Sequence, residues 1–87
     1  MTGKEIKTSY VLEKIGKEMF YHARIGKEWS DDKYHALSVA ARTIRGAGPK
    51  KDELAEEFSG IICSETPKIH AFNEKYAHFL HNINMTM

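Results

Sequence analysis

Four side chains near the carboxyl end could bind a metal: His70, Glu74, His78 and His81, spaced by four, four and three. On a helix that spacing puts them on one side. Imidazole and carboxylate are ligands for zinc or nickel, and two or three of these residues could hold such an ion. The sequence has no second ligand cluster to complete a shell, so no resident metal and no other cofactor is expected. A second constellation is cationic. Arg45-Gly46-Ala47-Gly48-Pro49-Lys50-Lys51 sets three cations around two glycines, with Arg42 just before them. Glycine lets a backbone approach a ligand closely and take φ > 0. Amides freed at the next helix start can then face an anion such as phosphate. The bland reading of the same string is a tight turn between helices with solvated lysines. Lys68 is a further isolated amine. Cys63 is the only cysteine, which excludes an intrachain disulfide and a cysteine-based zinc site; a buried, structural thiol is expected. No Walker loop, nucleophile elbow or serine triad is present.

Helices must position these groups. Thr8 or Ser9 can cap a first helix over about 9–25, whose apolar face is Leu12, Ile15, Met19 and Ala23, flanked by Val11 and Phe20. Gly16 lies on that stripe and implies close approach by another helix, because glycine inside a helix costs about 1 kcal/mol against alanine. His22 at the edge reads as a packing histidine with one nitrogen satisfied. Gly26 is the stop. Trp29 is expected to fold against the core. Ser30 then caps a second helix over about 30–45, with Asp31 and Asp32 at its positive end. Tyr34, Leu37, Ala40, Ala41 and Ile44 form its buried face, thickened by Ala36 and Val39; so much alanine predicts a central helix. Pro49 opens a short third helix over about 49–58, with Leu54, Ala55 and Phe58 inward. Ile61 and Ile62 are expected to be buried in the connector. Thr66-Pro67 starts a fourth helix over about 67–83, with Ile69, Phe72, Tyr76, Phe79, Leu80 and Ile83 as its stripe. The sum is an all-α, compact four-helix domain spanning 1–87, with 1–7 and 84–87 loose.

Composition is that of a globular chain: 87 residues, 41% hydrophobic and 29% charged. The start is too polar for a signal peptide and no apolar run reaches membrane length, so an intracellular protein without membrane contact is expected. The net charge of +1 conceals two halves. Residues 1–51 hold eleven Lys/Arg against six Asp/Glu, and the remainder holds two against six. Such a molecule can offer a basic face to phosphate, assemble head to tail, or meet a protein of mixed charge.

The Gly-x-Gly-Pro-Lys string from Gly46 resembles the hairpin of helix-hairpin-helix DNA-binding motifs, with Asp52 where those carry a small apolar residue. A wider pattern joins Leu12-Glu13-Lys14-Ile15, Tyr34-x-Ala36, Ala40-Ala41-Arg42-x-Ile44-Arg45, Phe58-Ser59-Gly60-Ile61 and Lys68-Ile69-x-x-Phe72. In order and spacing, over about residues 9–80, it resembles the amino-terminal domain of family X DNA polymerases, the DNA polymerase beta type, and the related domain of structure-specific nucleases. The resemblance implies four helices with a helix-hairpin-helix and binding at the 5′-phosphate side of gapped or branched DNA. It implies a basic residue ahead of helix two, matched by Lys33. It places Lys68, counted from Gly60, where the polymerases carry a Schiff-base lysine. Three positions depart from the pattern: Ile62 stands for the second hairpin glycine, Pro67 falls inside a continuing helix, and Asp32 replaces a histidine. Gly46 and Gly60 are rival positions for the hairpin.

The expected function is therefore a small non-catalytic module that binds DNA phosphate through the basic glycine-rich turn. Its residues would be Lys33, Arg42, Arg45, Gly46, Gly48, Lys50, Lys51, Gly60 and Lys68, and Lys68 is the one candidate for lyase chemistry. The alternative is a protein–protein interaction module, an inhibitor or adaptor that ignores nucleic acid. An amphipathic unit of this size can also pair with a second copy as a homodimer.

Overall fold

Val11, Ile15 and His22 recur along one side of the first helix, and that side is what α1 (Thr8–Ile25) buries. The computed structural model describes residues 8–80. The ends at 1–7 and 84–87, together with His81 and Ile83 of the expected fourth helix, lie outside the described residues. Gly26 ends α1 with φ +68, a conformation that favours glycine, as its position in the sequence predicts. The chain then turns at once into α2 (Glu28–Arg45).

The start of α2 corrects the sequence reading. Lys27, in extended conformation, precedes the first turn, and no side chain caps it. Beginning at Glu28 rather than Ser30 puts Ser30 inside the helix, on the same stripe as Leu37, Ala41 and Ile44, and it is fully buried. The Ser30 hydroxyl faces His22 Nδ1 at 3.5 Å, so the two buried polar groups answer each other. His22 Nε2 looks toward Glu18, 3.7 Å away. Trp29 does not fold onto the core: helical geometry turns it outward, 57% exposed, with its ring edge against His22. Tyr34, expected on the buried face, also emerges at its flank. Ala36, Leu37, Ala40, Ala41 and Ile44 are buried as expected. This wide small-residue face meets α1, α3 and α4, so α2 is the central helix.

Gly46 and Ala47 leave α2, and a single 3-10 turn, Gly48–Lys50, leads into α3 (Lys51–Ser59). Leu54, Ala55 and Phe58 point inward as the spacing predicts. A turn at residues 60–63 follows; Ile62 is buried and Ile61 packs against the core. Cys63 is exposed, not buried: in this turn Ile62 takes the inward position and leaves the next side chain to solvent. Thr66 and Pro67 open α4 (Thr66–Lys75), but no hydroxyl caps it; Glu65 is the cap residue. The fourth helix pauses at Tyr76, and residues 77–80 resume it. Ile69 and Phe72 are buried, and the Phe72 ring lies 4.8 Å from that of Phe58. Asn73 reaches across from α4 to donate to the Ala36 carbonyl at 3.0 Å, which fixes α4 on the amino-terminal half of α2. Among the described residues there is no strand, and no helix is long and apolar enough to cross a membrane. The fold is all-α.

Candidate nucleic-acid interface

The basic turn is positioned from both sides. Ile44 and Ala47 are buried in the core, so the residues around them face outward. Arg42 and Arg45, on the last turn of α2, are exposed, and so are Lys50 and Lys51. Gly48 carries φ +59, which a side chain rarely adopts. No atom lies within 4 Å of where its Cβ would be, so backbone conformation alone selects glycine there.

The expected free amides are partly taken. The Lys50 amide donates to the Ala47 carbonyl at 3.1 Å, and the Lys51 amide donates to Gly48. A 3-10 turn closes on itself in this way, which the sequence signal of glycine plus proline does not disclose. The turn therefore addresses an anion chiefly through its side chains. None of Arg42, Arg45, Lys50 and Lys51 has a carboxylate within 4.0 Å among the described residues.

Two acids of α3 are engaged elsewhere, whereas Glu53 and Glu56 are exposed with no ion-pair partner among the described residues. Asp52 accepts from the Thr8 hydroxyl, which ties the start of α3 to the start of α1. Thr8 thus serves as a tertiary partner, not as the cap its position suggests. Glu57, one end of α3 away, accepts from Lys75 at 3.3 Å and from the Tyr76 hydroxyl. These contacts have an electrostatic signature. The Tyr76 hydroxyl bond to Glu57, with partial burial, raises the phenol above its ordinary 10.0. Hydrogen bonds to Tyr76 and Glu57, and the negative charge of Glu57, raise the Lys75 amine above its ordinary 10.5.

The nine residues expected to hold nucleic acid do not converge on one spot. Arg42, Arg45, Gly46, Gly48, Lys50 and Lys51 form one group. Gly60 and Lys68 lie past the far end of α3, about 13 Å along a nine-residue helix. Lys33 lies twelve residues before Arg45, about 18 Å along α2. The rival hairpins differ in backbone: Gly48 in the first turn is left-handed, whereas Gly60 has φ −82. Lys68 is exposed at the start of α4, beside a shallow groove walled by Glu57, Ile61, Phe72 and Lys75. That groove offers Lys68 no second reactive group, since Glu57 and Lys75 are paired with each other.

The histidine stripe divides as well. His70 Nε2 lies 3.3 Å from Asp32 Oδ1, joining α4 to α2. Asp32, at a position where the resemblance implies histidine, is thus a partner for one. Among the described residues no three His, Cys, Asp or Glu side chains gather to hold a metal ion. Sequence reasoning also overlooked a feature of α1: Phe20, Tyr21 and Tyr10 stand exposed on its outer side. The signal was available, since 10, 17, 21 and 24 fall on the side away from Val11 and Ile15. In comparisons with known proteins, no family model matches this chain, and no curated protein or solved structure matches it.

Proposed function

We propose that the chain is a small non-catalytic module that binds nucleic-acid phosphate, DNA in particular, on the basic turn between α2 and α3. One observation carries the reading: four exposed cations crowd one turn without a carboxylate partner within 4.0 Å among the described residues, while the adjacent Asp52 is held by Thr8. Cations left without internal partners keep their charge available to a polyanion. The resemblance to the polymerase amino-terminal domain supports the same reading and suggests gapped or branched DNA as the preferred form. Lys33 and Lys68, on separate edges, would meet phosphates further along such a bent substrate.

Fluorescence anisotropy tests this with a 5′-phosphorylated gap, a branched duplex and a plain duplex. If the four cations each neutralise one phosphate, affinity should fall roughly 10²-fold between 50 and 200 mM salt. Reversing Arg45, Lys50 and Lys51 to glutamate should lower it at least as far, by about 100-fold or more, and flatten the salt dependence. No binding at tens of micromolar in low salt would discard the reading in favour of a protein partner, on which the chain would act as an inhibitor or adaptor.

A further inference from the structure

The outer side of α1 is unusual for a helix facing water. Phe20 is 66% exposed and Tyr21 59% exposed, and Lys17 and Arg24 lie between them on the helix surface. The Arg24 guanidinium sits 5.8 Å from the centre of the Phe20 ring. One end of the same side repeats the pairing, with Lys14 over Tyr10 at 5.7 Å. Trp29 adds a fourth exposed ring just beyond the Gly26 turn. The acids on this side are few: Glu13 lies 3.9 Å from Lys17, and Glu18 turns inward to His22. Flat rings alternating with cations suit a ligand that is itself planar and anionic by turns, which is the chemistry of an unpaired nucleotide strand.

Of these rings, Phe20 leads toward the basic turn, since it follows Gly16 on the ridge beside the groove there; Tyr10 lies on the other flank of α1, near Ser59 and Ile62. Arg42 and Arg45 line a groove between α1 and α2 together with Leu12, Gly16 and Met19. Gly16 was expected to admit a neighbouring helix, but it is exposed and its missing Cβ would meet nothing within 4 Å. Its effect is instead to lower the wall of that groove. Phe20 stands one helical turn further along the same ridge, about 6 Å on.

From this juxtaposition we infer that the outer face of α1 stacks the bases of a single strand whose phosphates cross to Arg42 and Arg45 over Gly16. The inference rests on the phosphate-binding reading above and names the form of nucleic acid that the molecule selects: one with unpaired bases next to its phosphate contacts.

Two labelled strands separate the two readings. One is an oligothymidylate; the other has the same sugar-phosphate backbone without bases. The oligothymidylate should bind about tenfold tighter or more, the usual effect of one stacked base. The double variant Phe20→Ala/Tyr21→Ala should erase that preference, with its affinity for the base-free strand and its Tm unchanged. Phe20→Tyr should retain the preference. If both strands bind the native chain alike, or the preference survives in the double variant, the stacking inference is overturned while phosphate binding stands. If neither strand binds while the 5′-phosphorylated gapped duplex does, the stacking inference is overturned and phosphate binding stands; if none of the three binds, both readings fall.

Discussion

The two ends of α3 treat charge in opposite ways. At its carboxyl end Glu57 is held by Lys75 and the Tyr76 hydroxyl, directly over the packed rings of Phe58 and Phe72. At its amino end Lys50 and Lys51, with Arg42 and Arg45 across the turn, have no such partners among the described residues. Paired charges above an aromatic core help one helix find its place on another. Unpaired cations around a turn add nothing of that kind, and mutual repulsion makes them a small cost to the fold. Charge kept there does not serve stability. The contrast teaches which end of the helix holds the molecule together and which end faces outward.

Breaking the clamped end should give the largest effect on stability. Phe58 is fully buried, so Phe58→Ala should cost about 3–5 kcal/mol, most of the stability a small domain has. Thermal or urea unfolding would show this as loss or near loss of the folded baseline. At the basic end, the reversal of Arg45, Lys50 and Lys51 should leave Tm within a few degrees of the native value or slightly changed, although nucleic-acid affinity collapses. A comparable loss of Tm there would erase the distinction between the ends.

A smaller effect is expected at the ion pair itself. Glu57→Gln keeps the shape but removes the charge, and Tm should fall by roughly 2–4 °C, because exposed pairs contribute little. The pair also predicts an alkaline limit. Lys75 and Tyr76 both have folded-state pKa values above their ordinary ones. Each therefore adds stability that is complete below about pH 10 and fades as pH rises through the raised folded value. Glu57→Gln should remove that part of the alkaline loss, measurable as Tm against pH from 8 to 11.

The smallest effect should be a gain. At Gly16 helical backbone and open space both admit a side chain, so Gly16→Ala should stabilise by up to about 1 kcal/mol. If it destabilises instead, a neighbour approaches α1 there after all. Because one methyl group is small, strand binding should change little.

Much of the fold was legible in the sequence because it rests on strong local signals. The helical spacing of Leu37, Ala40, Ala41 and Ile44 in α2 and of Leu54, Ala55 and Phe58 in α3, the stop at Gly26 and the Thr66-Pro67 start are each signals within a single helix. The misreadings share a cause. Ser30 looks like a cap, yet whether it caps or is buried depends on whether His22 waits eight residues back in the chain. Trp29 looks like core, yet two residues of helix added before Ser30 rotate it into water. Thr8 looks like a cap, yet Asp52 receives it from far along the sequence. The basic turn was legible as charge but not as backbone, because glycine and proline announce a turn without saying that it closes as a 3-10 turn on the Lys50 and Lys51 amides. The aromatic side of α1 was missed for a simpler reason: Phe20 was placed beside the apolar face, and Tyr10 and Tyr21 were not weighed with it as a surface.

The link of two residues at Gly26 and Lys27 also sets a clock. Closing so short a loop costs little chain entropy, and loops of about ten residues already close within about 100 ns. Among the described residues α1 and α2 pack more extensively than any other pair of helices, so their hairpin can form before α3 and α4 arrive. A chain led by contacts between sequence neighbours folds in microseconds to milliseconds.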